Sequence, residues 1–458
     1  MIAARRTRSN FGLQRAVEVA NELGKPLLIL EGLRVDYPHA SDRLHTFVIQ
    51  GMQANARACE ASTARYVPYI EPSPGDGRGL LETLAGRAAL VVTDSYPAFF
   101  LPRMVAAAAK RCPVRLEAVD GNGLIPVAIH GRAFPSARGY RGFMQRNLRE
   151  HLLGFPVEDP LSRLEQNGAP LPREVSSTWP QADLRVAPAT LVAQLRIDHS
   201  VRPAVFEGGH DAARQTLAAF VTTRLAAYAD DANHPDADGT SHLSPYLHFG
   251  HISPHEVFSA VMSRERWTTR KLASGASGQR EGWWNVSAGA EAFLDQLTVW
   301  RELAFNGAAW KERFGSFDAL PDWARDTLDA HRGDEREHVY TRAQLDAART
   351  HDPVWNAAQN ELRETGWFHG YMRMVWGKKI LEWSRRPEDA LAHMAALMDR
   401  YSLDGRDPVS LLNYSWVLGG YDRPWFERPI FGSVRYMTSE SAKRKLKMKK
   451  YLATYSRP

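Results

Sequence analysis

The chain has 458 residues, 44% apolar and 24% charged, a composition ordinary for a globular protein of two or three domains. Lysine and arginine number 58 against 52 acidic residues, and the resulting charge of +6 selects no partner by itself. No run of about 18 apolar residues reads as a membrane span. The opening MIAARRTRSNFG lacks an apolar signal core, and two cysteines, Cys59 and Cys112, supply neither a disulfide framework nor a four-cysteine metal centre, so a cytoplasmic protein with no metal site is expected.

Residues 1–134 alternate strand and helix patterns. Residues 10–23 read as an amphipathic helix. Residues 26–30 (PLLIL), 66–70 (YVPYI), 90–93 (LVVT) and 114–119 (VRLEAV) read as buried strands with helical stretches between them. That is the pattern of an α/β domain with a Rossmann-like parallel sheet, whose ligands sit at the polar strand ends. The chain opens on a helix where a first strand is expected. Either the sheet lacks that strand or the native start lies upstream.

Residues 135–200 read as a long connection, with Pro156, Pro160, Pro170, Pro172, Pro180 and Pro188 breaking any periodicity. Residues 201–458 turn helical, giving a mostly α-helical second domain. Within it, residues 351–383 read as one long helical stretch, opened by Asp352-Pro353, a capping carboxylate followed by proline. It carries four tryptophans, Trp355, Trp367, Trp376 and Trp383. On spacing alone these favour plain core, because aromatic rings bury large areas. A row of indoles can also pass an electron from the surface to a buried acceptor.

The stretch GTSHLSPYLHFG at 239–250 clusters hydroxyls and backbone N–H groups before a helix start, an arrangement that can hold phosphate. A plain serine or threonine cap is the commoner use of such a motif. No Walker lysine pattern and no GxGxxG is present. Near the C-terminus, Arg435, Lys443, Arg444, Lys445, Lys447, Lys449 and Lys450 make either a phosphate-neutralising patch or a solvated tail.

GTSHLSPYLHFG resembles the flavin diphosphate loop of the photolyase/cryptochrome family. EAFLDQLTVWREL at 291–303, THDPVWNAAQNEL at 350–362, FHGYMRMVWGKKILEW at 368–383, DRYSLDGRDP at 399–408 and ERPIFGSVRYM at 427–437 agree. Together they resemble the class II cyclobutane pyrimidine dimer photolyases. The resemblance implies a light-driven lyase that binds DNA and splits pyrimidine dimers with an electron from reduced FAD; the sequence does not reveal its oligomeric state, and a monomer is expected. It implies that Tyr228, Thr240, Ser241, His242, Leu243 and Ser244 surround the FAD diphosphate, and that Arg373 and Asp404 pair beside the flavin ring. By the same resemblance Trp376, Trp355 and Trp383 form an electron relay. Trp300, Trp416 and Met374 then line the dimer pocket, and Arg435 and Lys443 meet DNA phosphates. The family's first domain can hold an antenna chromophore of deazaflavin or folate type; no residue here identifies one.

Two positions depart from that pattern. Gln296 stands where the class II enzymes carry a glutamate that hydrogen-bonds the pyrimidine carbonyls; an amide donates but supplies neither a proton nor a negative charge. Met398 stands where an asparagine faces flavin N5, and a thioether accepts only weakly. Both are consistent with a second reading: a photolyase-like flavoprotein without dimer repair, either a light sensor or a photochemical enzyme on another substrate.

Overall fold

In the computed structural model, which describes residues 1–456, the four apolar runs become short parallel strands. β1 (Leu28–Leu33) pairs with β2 (Arg65–Ile70), Leu28 opposite Arg65 and Leu33 opposite Ile70. β3 (Val91–Ser95) pairs with β4 (Leu116–Asp120), Val91 opposite Leu116. Parallel neighbours need a crossover, here the helices Asp42–Glu60 and Leu101–Arg111. The expected single sheet is therefore two pairs. No strand forms ahead of the first helix among the described residues. Instead, the backbone N–H groups of Ile2 and Ala3 donate to the Asp94 carboxylate of β3 at 2.8 and 2.9 Å, and the Met1 ammonium donates to the Leu30 carbonyl of β1 at 3.0 Å.

The chain divides into two compact units, neither continuous in sequence. The first holds Met1–Val127, Leu148–Ala218 and His242–Met262; the second holds Ala128–Asn147, Ala219–Ser241 and everything from Ser263 onward. In the first, Leu33, Val48, Ile49, Met52 and Ile70 pack with Val192 and Leu195. Val175 is fully buried against Tyr69 and Leu80. Residues 135–200 thus carry core side chains, although their prolines read as a connection. Pro160 and Pro188 open short helical turns, where the missing N–H costs nothing.

The second unit has no strand among its described residues. Its helices bury Phe220, Trp355, Phe305, Phe368 and Trp376 almost completely. The stretch 351–383 is two helices, Pro353–Thr365 and Gly370–Trp383, not one. Asp352 caps the first as its sequence predicts, accepting from the N–H groups of Val354 and Trp355. Gly366 ends it with φ of 81°, a left-handed turn that a side chain would disfavour. That turn folds the second helix back on the first, and it brings the tryptophans together.

Candidate functional site

The indole of Trp376 stacks parallel to that of Trp355, with ring centroids 6.3 Å apart and an interplanar angle of 4°. Trp355 meets Trp383 edge to face at 5.5 Å. All three are buried, at 1%, 0% and 2% exposure. Each inner indole has a neutral hydrogen-bond acceptor. Trp376 Nε1–H donates to Gln359 Oε1 at 2.9 Å, and Trp355 Nε1–H donates to the Trp376 carbonyl at 3.0 Å. Gln359 stands one turn beyond Trp355 on its helix, so its role was readable from spacing once the partner helix was known.

Three residues before Trp376, Arg373 donates through Nη2 to both oxygens of Asp404, at 3.1 and 3.3 Å. The Asp404 carboxylate also accepts from Ser402 Oγ at 2.6 Å, and the guanidinium lies 5.0 Å over the Phe368 ring. The pair is buried, so the cation is held where its charge is poorly screened. Arg373 Nε has no acceptor among the described residues. A buried, orphaned N–H beside a fixed ion pair is a donor that fits the carbonyl and nitrogen edge of a flavin ring. Next to Asp404, Gly405 comes so close to Met398 that a Cβ would lie 2.3 Å from its carbonyl oxygen. Glycine there lets the aspartate loop pack on the helix Pro387–Tyr401. The Met398 side chain is fully buried.

Gln296 and Trp300 lie on a π-helical turn, Asp295–Trp300, set between the α-helices Ala288–Leu294 and Arg301–Trp310. Such turns re-aim side chains and recur at functional sites. Gln296 is exposed between buried neighbours, and Trp300 and Met374 are half-buried. Asp295 is locked by Arg141 at 2.8 and 3.2 Å, which fixes the turn. A second π-helical turn, Phe220–Arg224, precedes Tyr228. Tyr228 packs on Phe293 at 5.5 Å, and burial, with the charge of Asp295, pushes its phenol up to about 12.

Trp416 is half-buried near the end of the helix Pro408–Val417. Lys378, with no exposed surface, lies 4.9 Å over its ring and donates from Nζ to the Val417 carbonyl at 2.5 Å. Burial pulls the Lys378 ammonium down to about 7, against the pull of Asp422. Arg435 lies 5.5 Å over the same ring and 4.1 Å over Trp425, and pairs with Asp422 at 2.6 Å. Nothing local in the sequence marks Lys378 as buried. Glu361, on the helix of Trp355, was also missed. Its Oε2 accepts from Tyr451 Oη at 2.7 Å, and burial pushes its carboxyl up to about 7.

Thr240 and Ser241 end one segment of the second unit, and His242, Leu243 and Ser244 begin a segment of the first. Leu243 is buried, His242 has φ of 55°, and Ser244 opens a helix of five residues. Lys443 stands on the helix Ser439–Lys445, exposed beside Arg444 and Lys445. Among the described residues no helix is long and apolar enough to cross a membrane, and no group of three or more His, Cys, Asp or Glu could hold a metal.

No family model matches the chain. It is 34% identical over 452 residues to the deoxyribodipyrimidine photo-lyase of Methanothermobacter thermautotrophicus, spanning 99% of this chain and 92% of that protein. It is 32% identical over 478 residues to the protein of that name from Oryza sativa subsp. japonica, spanning 100% and 87%. The Arabidopsis thaliana protein of the same name is 29% identical over 479 residues, spanning 99% and 87%. Among solved structures, a bacterial class III photolyase from Agrobacterium tumefaciens superposes with a TM-score of 0.70 over 98% of this chain and 84% of that one. At 18% identity this is a likeness of fold.

Proposed function

The chain belongs to the photolyase/cryptochrome family, and from that premise we propose that it is an FAD-dependent, light-driven DNA lyase of the class II kind that splits cyclobutane pyrimidine dimers. The observation that carries this reading is the unbroken contact of Trp376, Trp355 and Trp383 in the unit that also holds the Arg373–Asp404 pair.

FAD, when bound, supplies light absorption and the electron that opens the dimer ring. Arg373 and Asp404 would hold its ring end, the guanidinium stabilising negative charge there and the carboxylate orienting the guanidinium. Tyr228, Thr240, Ser241, His242, Leu243 and Ser244 would hold its diphosphate. The residues near Arg373 keep the reaction dry: Phe368, Met398 and Trp376 are all fully buried. Trp376, Trp355 and Trp383 would carry an electron inward to restore its reduced form. On the substrate side, Trp300 and Trp416 offer flat faces to a dimer flipped out of the duplex, and Met374 lines the same pocket. Gln296 donates its amide to a pyrimidine carbonyl and orients the dimer without supplying a proton. Lys443 and its neighbours attract the phosphate backbone.

The deciding experiment illuminates the reduced, FAD-loaded protein with an oligonucleotide carrying one thymine dimer and scores restored bases against a dark control. Restored bases are expected. Dimers left intact, with flavin bound and DNA retained, move the assignment to the reading without repair that Gln296 and Met398 raise. A Gln296→Glu variant is expected to split dimers equally well or better, and lost activity in that variant rejects the role given to the amide.

A further inference from the structure

We propose that the electron path does not end at Trp383: Tyr340, hydrogen-bonded to His351, is the terminal donor, giving its electron to oxidised Trp383 and its phenolic proton to His351. The inference rests on the relay reading above and extends it by one residue pair.

The geometry continues the row of indoles to the surface. The Tyr340 ring lies 5.1 Å from the Trp383 ring, edge to face, closer than either indole-to-indole step. The His351 ring lies 5.4 Å from Trp383. Tyr340 Oη and His351 Nδ1 are hydrogen-bonded at 2.6 Å, and the backbone N–H of His351 donates to Tyr340 Oη at 3.0 Å. The phenol oxygen is therefore held by two groups of one residue. Exposure rises along the path. The three indoles are buried, Tyr340 is half-buried and His351 is exposed. The local chain explains the placement. His351 precedes the Asp352 cap of the helix bearing Trp355, and Tyr340 precedes the Thr341 capping box of the helix Arg342–Asp346.

The chemistry needs this pair. A phenol that loses an electron becomes a strong acid, so a base must already stand at the oxygen to take the proton. A base within about 2.6–3.2 Å meets that requirement. Burial, then the neighbouring His338 ring at 3.7 Å, holds the His351 imidazole below its ordinary value, with Lys379 acting in the same direction and Asp352 and Glu337 against it. This favours the neutral imidazole, and in the tautomer that carries its proton on Nε2 the Nδ1 atom accepts from the phenol. The step balances. One electron passes from Tyr340 to the Trp383 radical cation, and one proton passes from Tyr340 Oη to His351 Nδ1. Trp383 returns to its closed-shell form, Tyr340 is left as a neutral phenoxyl radical and His351 as an imidazolium. The oxidant is the Trp383 hole that the relay delivers. The outcome places the positive charge on an exposed ring, where water screens it.

The test uses the full chain loaded with FAD, pulsed illumination, transient absorption and electron paramagnetic resonance. In the unaltered protein the tryptophanyl radical is expected to give way to a phenoxyl radical. Tyr340→Phe should lose the phenoxyl signal and keep the early tryptophanyl signal. His351→Gln, or heavy water, should slow the tryptophan-to-tyrosine step. A readout without flavin is the vibrational C–O band of the Tyr340 phenol, taken as the difference between unaltered protein and Tyr340→Phe; it reports the hydrogen bond to His351 and should move when His351 becomes Gln. An unaltered protein whose final radical is tryptophanyl, while Trp376→Phe blocks photoreduction, overturns the proposal and leaves the relay standing. Photoreduction that survives Trp376→Phe removes the relay and this extension with it. A phenol C–O band unmoved by His351→Gln also overturns the pairing.

Discussion

Trp355 and Trp376 on one side, and Trp416 on the other, lie in the same unit in opposite electrical surroundings. The first two give their N–H groups to neutral oxygens and have no cation over their rings among the described contacts. Trp416 lies between Lys378 at 4.9 Å and Arg435 at 5.5 Å. A cation over an indole face is attracted to the neutral ring and opposes removal of an electron from it. For a unit charge at that distance the opposition is about 3 kcal/mol at an effective dielectric of 20, present in full only as pH falls below about 7 and Lys378 is protonated. The Asp422 carboxylate offsets the Arg435 charge, so Lys378 contributes most of the difference. The two inner indoles are therefore the easier to oxidise and Trp416 the harder; Trp383 stands between them, with Lys379 5.7 Å over its ring but paired with Glu382 at 2.9 Å.

The sharpest way to break this contrast is to remove one indole from each side. Trp376→Phe is expected to reduce flavin photoreduction to background, because the inner step of the row is lost. Trp416→Phe is expected to leave photoreduction unchanged. Both are read from the rate of flavin bleaching under blue light with an external reductant. Equal losses in the two variants would show that the surroundings of the rings do not separate their roles.

The next effect is on stability, and the two sides should respond to pH with opposite sign. The Lys378 ammonium is pulled from 10.5 to about 7 on folding. Its contribution is full above about 10.5, is lost as pH falls to about 7, and is level below; the upper bound is about 5 kcal/mol. The Glu361 carboxyl is pushed from 4.5 to about 7. Its contribution is full below about 4.5, is lost as pH rises to about 7, and is level above; the upper bound is roughly 3 kcal/mol. Denaturant unfolding of Lys378→Met and Glu361→Gln, each compared with unaltered protein across pH 4–10, isolates the two slopes. A flat difference curve for either variant removes that group from the account.

These buried ionisable groups mark the limit of what the sequence makes legible. Caps are local, so Asp352-Pro353 announces a helix from four residues of chain. Trp355, Trp376 and Trp383 were singled out because a family pattern names them; their contact depends on the turn at Gly366, which a periodicity reading passed over as continuous helix. Lys378 shows the opposite case. Its neighbour Lys379 looks the same in sequence, yet Lys379 reaches Glu382 at 2.9 Å while Lys378 donates to a helix-end carbonyl 39 residues away. Burial is a property of the packed unit, and no window of sequence contains it. The same holds for residues 135–200, whose prolines look like a linker and whose Val175 and Val192 are core.

A smaller effect tests the stacking side alone. Trp416→Ala is expected to weaken binding of dimer-containing DNA by about 1–3 kcal/mol, the usual worth of one base–aromatic contact. Affinity for undamaged duplex should change less, because phosphate contacts dominate there. An equal loss for both DNAs would assign Trp416 to the fold.

The smallest expected effect separates Arg435 from Lys443, which the sequence placed in one basic stretch. Lys443 is exposed, so Lys443→Gln should remove one phosphate contact and flatten the dependence of log affinity on log salt by about 0.9. Arg435 is already paired with Asp422 and flanked by Trp416 and Trp425. Its replacement by Gln should barely change the salt slope and should instead reproduce, in reduced form, the selective loss of dimer binding seen on truncating Trp416. Fluorescence anisotropy with a labelled oligonucleotide, with and without the dimer, at four salt concentrations distinguishes the two. A salt slope that falls equally for both variants would mean that the Asp422 pair opens when DNA arrives. The cation over Trp416 would then be a feature of the free protein alone.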